Sequence, residues 1–312
     1  MNNKSTSRIT QQRQQSHACN ALTLYLDNLA PSGRRSMRSL LQQAALLNKW
    51  TGPLEQMPWL TLRYAQVAQI RAALRRTDKA PNTINTTLAA LRGVLKAGFL
   101  SGQYPALEWQ RIQTIPRMPG KPLPAGRRLS ASEVKRLLKA CENDSSHGCR
   151  DAAIIALLAY AGLRRSEIAS VKVADYSRRS GQLIIREGKG QRQRKLVLPT
   201  AARTWLRRWL HERGAGPGPL FCRLTKNGEC DYKLRLNGQQ VYGLLRRRSR
   251  AAGIAPSSPH DLRRTFVTRL LEQGVDVNTA RQLAGHEQLQ TTALYDRRHL
   301  KSQRQALANF RF

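Results

Sequence analysis

The stretch TIPRMPGKPLPAGRR, residues 114–128, holds four prolines and two glycines. Proline removes a backbone donor and fixes φ, and glycine resists ordering, so neither a helix nor a central strand continues through such a run. The 312-residue chain is therefore expected to fold as two separate bodies, which also suits a length beyond one comfortable core. The predicted division is a flexible N-terminus over 1–16, a helical body over 17–115, a basic linker over 116–128, a second body over 129–298 and a tail over 299–312. The cations of the linker suit a connector that lies along a phosphate backbone.

Upstream of the linker, apolar residues recur at helical spacing: Leu22, Leu26 and Leu29, then Leu40, Leu41, Ala44 and Leu47, then Leu88, Leu91 and Leu95, with Gly98 or Gly102 ending the last run. Downstream, Ser130-Ala-Ser-Glu133 is a capping box that opens a helix through Leu138, and the almost wholly apolar Asp151–Tyr160 predicts a buried one. Leu183–Ile185 and Lys195–Leu198 are β-rich and joined through Glu187-Gly-Lys-Gly190, which reads as a hairpin. Helices are expected over Thr200–Glu212, Gln239–Ala252, His260–Gln273, Asn278–Ala284 and from Thr291 onward, with a loop over 213–219. The predicted class is mainly α: a helical N-terminal body and a mostly helical α+β body with a small β-sheet.

Charge narrows the partners. The chain has 54 Lys+Arg against 19 Asp+Glu, a formal +35. A solvated surface is served by mixed signs; an excess of this size points to a polyanion, and to nucleic acid first. Arg34, Arg35, Arg38, Arg71, Arg75, Arg92, Lys121, Arg127 and Arg128 are the expected DNA contacts. The five cysteines (Cys19, Cys141, Cys149, Cys222, Cys230) are odd in number and show no C-x-x-C spacing. That pattern speaks against a disulfide framework or a zinc site, and no metal or cofactor is predicted. No apolar run approaches the roughly 20 residues of a membrane span, and the polar, Gln-rich N-terminus has no signal-peptide core. A soluble, cytoplasmic, nucleoid-associated protein with no membrane partner is expected.

Five residue types stand at chemically suggestive places. Arg164 follows Gly162 just after the buried helix, and Glu167 three residues on can orient a guanidinium; alone, the pair fits a surface helix start equally well. His260 and Arg263 stand at i and i+3 at a helix start, on one face and near amides that favour an anion. Asp261 and Arg264 face elsewhere. Gly285 is expected to end a helix and leave His286 projecting from a turn. Tyr295 lies nine residues later; singly, such a tyrosine is more often packing. Lys189, between Gly188 and Gly190, is as well explained by a solvated turn as by an ammonium that protonates a leaving alkoxide. Together, two guanidiniums, two imidazoles and a phenol suit attack on one DNA phosphate: clamp, proton transfer and covalent nucleophile.

Gly162-Leu-Arg-Arg-Ser-Glu167, the Gly188-Lys-Gly190 turn, His260-Asp-Leu-Arg-Arg264, Leu283-Ala-Gly-His286 and Thr291-Thr-Ala-Leu-Tyr295 resemble, in order, the successive boxes of the tyrosine recombinase family, the phage-integrase and Xer type. The likeness spans residues 129–298, with a weaker one over 17–115 to the family's SAM-like core-binding domain. The resemblance implies a site-specific recombinase in which Tyr295 forms a 3′-phosphotyrosyl link and frees a 5′-hydroxyl. Arg164 and Arg263 would hold the non-bridging oxygens, His260 would take the phenolic proton, His286 would hydrogen-bond the phosphate and Lys189 would be the general acid. Glu167 would support the arginines. The covalent link stores the diester's energy, so neither ATP nor a metal is called for. The family also implies double-stranded recombination sites as partners, a dimer on each site, a tetramer in the synapse and, in some members, accessory DNA-bending proteins. The tail, with Leu300, Leu307, Phe310 and Phe312, suits either a neighbouring subunit or packing on its own body. An arm-binding domain is not expected, and the Gly/Pro-rich stretch after 212 leaves little room for the extra helix of integron integrases. A type IB topoisomerase and a non-catalytic DNA-binding accessory factor are the competing readings.

Overall fold

The computed structural model describes residues 20–120, 126–142, 146–186, 193–293 and Tyr295. The expected frayed N-terminus, Lys121, the hairpin tip with Lys189, and the tail over 299–312 lie outside the described residues. The chain divides into two compact units, residues 1–123 and 124–312.

The first unit contains helices α1 (Ala21–Asp27), α2 (Pro31–Leu47), α3 (Tyr64–Arg76), α4 (Pro81–Leu100) and α5 (Ala106–Gln113), with two 3-10 turns at Leu54–Gln56 and Trp59–Thr61. Local chemistry sets the starts: the Asn20 side chain accepts from the amide of Leu22 to cap α1, and Pro31 and Pro81 occupy first-turn positions where no donor is needed. α4 is the hub and packs against α1, α2, α3 and α5. Its buried Ile84, Leu88, Leu91, Val94 and Leu95 make the centre of this core. Of the two glycines expected to end α4, Gly102 (φ 73°) does so. Gly98 stays inside the helix, because a Cβ there would meet a Leu60 methyl at 2.3 Å.

The expected DNA contacts of this unit divide. Arg35 and Arg75 are exposed, as a phosphate contact needs. Arg34 pairs with Asp27 at 3.2 Å and Arg38 with Glu55. Arg71 is half-buried, with its Nε atom enclosed. Arg92 is a correction: its guanidinium donates to the carbonyls of Ile112, Gln113 and Ile115 at 3.1, 3.0 and 2.6 Å. It caps the C-terminal end of α5, where a cation also meets the negative end of the helix dipole.

The second unit contains α6 (Ala131–Lys139), α7 (Ser146–Tyr160), α8 (Arg165–Ser170), β1 (Gln182–Ile185), β2 (Arg194–Val197), α9 (Thr200–Arg213), β3 (Cys222–Leu224), β4 (Cys230–Arg235), α10 (Gly238–Ala251), α11 (Pro259–Glu272), α12 (Val277–Ala284) and α13 (Leu289–Ala293). The capping box is formed as expected: Ser130 Oγ accepts from the Glu133 amide and Glu133 accepts from the Ser130 amide. α7 is the buried centre, with Ala152 through Leu158 sealed from solvent, and packs against α6, α9 and α11. β1 and β2 pair antiparallel from Gln182↔Val197 to Ile185↔Arg194. A second antiparallel hairpin, β3–β4, was not foreseen. Among the described residues no helix is long and apolar enough to cross a membrane.

Arg127 and Arg128 have partners within the second unit. The Arg127 amide donates to Asp261, and its guanidinium reaches Glu133 at 2.7 Å and the Ala255 carbonyl at 2.9 Å. Arg128 pairs with Glu272. Arg127 is thus committed to fastening the incoming chain to α6 and α11, and its hydrogen-bonding capacity goes to the protein rather than to DNA.

Candidate active site

At the end of α7, Gly162 adopts φ 62°, a turn that a Cβ would block by striking the Phe266 ring at 2.2 Å. The turn delivers Arg164 as the residue capping α8. Its amide donates to Glu167 Oε2 and its Nη1 to Glu167 Oε1, both at 2.8 Å. Glu167 has 1% of its surface exposed, and a buried carboxylate needs more than one partner. The second partner is Arg194, the first residue of β2. It grips both carboxylate oxygens, Nη1 to Oε1 at 2.6 Å and Nη2 to Oε2 at 2.8 Å. Sequence reasoning found Glu167 and missed Arg194.

α11 begins with a Ser258–Asp261 capping box and Pro259 in its first turn. This sets His260 and Arg263 on one face. Arg263 is buried and donates to the carbonyls of Gly162, at 2.6 Å, and Ala284. Arg164 donates through Nη2 to the carbonyl of Gly285. Both guanidiniums are therefore held by the C-terminal carbonyls of α12, groups that have no partner inside a helix and carry negative potential.

Gly285 is left-handed (φ 66°, ψ 44°), as expected of the residue that ends α12. His286 then departs from expectation. Its ring is buried rather than projecting, with Nδ1 at 2.8 Å from the buried Thr292 Oγ1 and the ring stacked on Tyr295 at 6.2 Å between centroids. Tyr295 is also buried, and its hydroxyl lies 3.4 Å from His260 Nε2. Arg264, expected to face elsewhere, stands over the Tyr295 ring, 5.9 Å from its centroid.

Burial and positive charge act together on these groups. His260 is held below its ordinary value by burial and then by Arg263. His286 is pushed down to about 3 by burial, then by Arg263 and Arg164. Both imidazoles are neutral at pH 7: one is available as a base, the other as a hydrogen-bonding group without charge. Burial raises the Tyr295 phenol, against the pull of Arg263 and Arg264, so it is protonated until a base takes its proton. Burial and neighbouring Arg164 bring Arg263 down to about 9, which leaves it cationic. Burial alone would raise Glu167; the bonds and charge of Arg194 and Arg164 hold it below the usual value, hence ionised.

Arg164, His260, Arg263, His286 and Tyr295 all line one open hollow of about 520 Å³, together with Arg165, Ser166 and Tyr242. Forked cations, a neutral base beside a phenol and a neutral imidazole suit a monoanionic phosphodiester whose two non-bridging oxygens gain charge as a phenol attacks. Lys189 falls outside the described residues.

The chain is similar to known proteins over most of its length. Residues 127–302 match the model of the phage integrase family. The tyrosine recombinase XerA of Pyrococcus furiosus is 33% identical over 233 residues, covering 74% of this chain and 76% of the relative. The tyrosine recombinase XerC of Alcanivorax borkumensis is 31% identical over 285 residues, 87% of each chain. Among solved structures, the Tn1549 transposon integrase in complex with transposon right-end DNA superposes with a TM-score of 0.66 at 17% identity, covering 93% of this chain and 99% of that one. The XerH site-specific recombinase bound to palindromic difH substrate gives 0.65 at 21% identity, covering 94% and 85%. These last two share the fold. The family match covers more than half of the chain, and the chain belongs to the phage integrase family, the tyrosine recombinases.

Proposed function

We propose that Tyr295 is the nucleophile of a DNA strand-exchange reaction carried out by this recombinase. The observation that carries the assignment is the Tyr295 hydroxyl at 3.4 Å from the neutral His260 Nε2, in a hollow that Arg164 and Arg263 also line. The Tyr295 oxygen forms a bond to the scissile phosphorus as the bond to the 5′ oxygen breaks. His260 accepts the phenolic proton, and the departing 5′ oxygen takes one from Lys189, whose role rests on its place in the sequence. Arg164 and Arg263 bind the non-bridging oxygens more strongly as charge develops on them. His286 donates through Nε2 when Thr292 donates to its Nδ1. Glu167 orients Arg164. A 5′-hydroxyl from the partner strand then attacks the 3′-phosphotyrosyl bond in reverse, and the diester is restored without ATP.

Exposed Arg35 and Arg75 are the better-placed DNA contacts of the first unit. Strand exchange needs protomers on two duplex sites, so a dimer on each site and a tetramer in the synapse follow. An apolar hollow lined by Tyr160, Leu196, Val197, Phe266, Leu270 and Leu283 is a surface suited to a neighbouring subunit. Action on chromosomal or mobile-element DNA places the protein in the nucleoid. Relaxation of supercoils alone, and binding without catalysis, are disfavoured by relatives named as recombinases over most of their length.

The test is to trap protein on randomly nicked fragments of the host DNA and sequence the attached strand. The intact chain is expected to yield a covalent adduct at one site; Tyr295→Phe is expected to bind equally and yield none. An adduct formed by Tyr295→Phe, or none formed by the intact chain, would overturn the assignment.

A further inference from the structure

The carboxylate of Glu167 is contacted by two arginines that do different work. Arg164 has 37% of its side chain exposed and opens into the reactive hollow. Arg194 has 16% exposed and is not among the residues that line that hollow. Arg194 nevertheless supplies two of the four hydrogen bonds on the carboxylate, one to each oxygen. It also packs against the bare Cα of Gly285: a Cβ there would lie 2.4 Å from Arg194 Nη1 and 2.8 Å from its central carbon. The Gly285 carbonyl is in turn the second anchor of Arg164. Arg194 thus touches both groups that fix Arg164, and touches them from outside the hollow.

Charge gives the contact its meaning. With Arg164 alone, the buried carboxylate would cancel one of the two cations meant for the phosphate. With Arg194 present, one guanidinium balances Glu167, and Arg164 and Arg263 keep two positive charges for the two non-bridging oxygens. The arrangement is not the most stable one for a core. Arg194 Nε is enclosed with no hydrogen-bond partner among the described residues, and ion pairs sealed from water contribute less than well-packed apolar groups of the same size.

We propose that Arg194 is a positioning residue for strand cleavage: by neutralising Glu167 and bracing Gly285, it leaves the Arg164 guanidinium aimed and fully charged for the scissile phosphate. The inference rests on the strand-exchange reading of the site. It predicts a specific non-additivity. Removing Arg194 leaves a carboxylate that draws Arg164 to itself; removing that negative charge as well releases Arg164 again.

The experiment compares Arg194→Met, Arg194→Lys, Glu167→Gln and the Arg194→Met/Glu167→Gln pair with the parent chain. The readouts are the initial rate of covalent adduct formation on the nicked host fragments, retention of the same DNA on filters, and the melting temperature. Arg194→Met is expected to slow adduct formation about 100-fold, the loss typical of one removed transition-state donor, with DNA retention within about twofold. Arg194→Lys, which keeps the charge and loses the fork, should fall between Arg194→Met and the parent. The paired variant should recover at least about tenfold over Arg194→Met, a coupling that a purely structural role would not give. Adduct formation by Arg194→Met within about threefold of the parent would overturn the proposal. So would a paired variant no faster than Arg194→Met, whether slowed directly or by failure to fold. An inactive parent chain would count against the strand-exchange reading instead, so the two failures are separable.

Discussion

Replacing Glu167 with glutamine keeps the shape of the side chain and removes its charge. Oε1 accepts from Nη1 of Arg164 and of Arg194, and Oε2 accepts from the Arg164 amide and Arg194 Nη2, at distances of 2.6 to 2.8 Å. An amide converts one of these oxygens to NH2. Whichever way it turns, two of the four bonds become contacts between donors. Hydrogen bonds to a charged group contribute about 1.5–3 kcal/mol each, and breaking a buried ion pair by removing one partner costs about 3–5 kcal/mol. The second unit should therefore lose about 3–5 kcal/mol. For a body of its size that is a fall of about 10 °C in melting temperature. Arg164 loses part of its anchor at the same time, so single-turnover adduct formation should drop about tenfold, less than the roughly 100-fold of a removed transition-state donor, while DNA binding changes little. Calorimetry and a timed adduct assay on one preparation measure both. A Glu167→Gln protein that melts within about 2 °C of the parent and cleaves within about threefold of it would refute the reasoning.

Four other outcomes follow from named contacts. Burial and then Arg263 hold His260 below its ordinary 6.5, so its basic form is already present at neutral pH. The adduct rate should stay level from about pH 8 to 6.5 and decline only below that; a rate already halved at pH 7 would contradict a neutral His260. His286, at about 3 when folded and 6.5 when unfolded, binds more protons in the unfolded chain between those values, so acid below 6.5 should lower stability as well. Thr292→Val removes the partner of His286 Nδ1 at a sealed position and should slow adduct formation about tenfold, at a stability cost of about 1–3 kcal/mol; an unchanged rate would show that the hydroxyl does not set the ring. Arg92→Ala should destabilise the first unit by about 1–3 kcal/mol yet leave the slope of log affinity against log salt unchanged; a slope smaller by about 1 would make Arg92 a phosphate contact after all.

Most residues that line the hollow could be read from the chain because each stands at a helix end with a local signature. Gly162 announces the turn before Arg164, Ser258 and Pro259 the start that carries His260 and Arg263, and Gly285 the stop before His286. What escaped depends on long-range contact. Arg194 is one of 54 cationic residues, and nothing in its neighbours distinguishes it; only the fold brings it to Glu167, 27 positions earlier. Arg92 was misread for the same reason, since its partners lie 20 to 23 residues away. The β3–β4 hairpin was missed because β3 has three residues and β4 is largely exposed, so neither gives an alternating apolar pattern. The burial of His286 follows from α13 folding back to bring Thr292 and Tyr295 against its ring, which a turn motif does not encode.

The backbone at Ala284 and Gly285 grips Arg263 and Arg164, the next residue is His286, and ten positions beyond Gly285 comes the phenol of Tyr295. One short length of chain is therefore a common latch for the two guanidiniums, the buried imidazole and the phenol. Any shift of this segment would move one anchor of each guanidinium together with the imidazole and the phenol, so these four groups cannot be repositioned independently of one another.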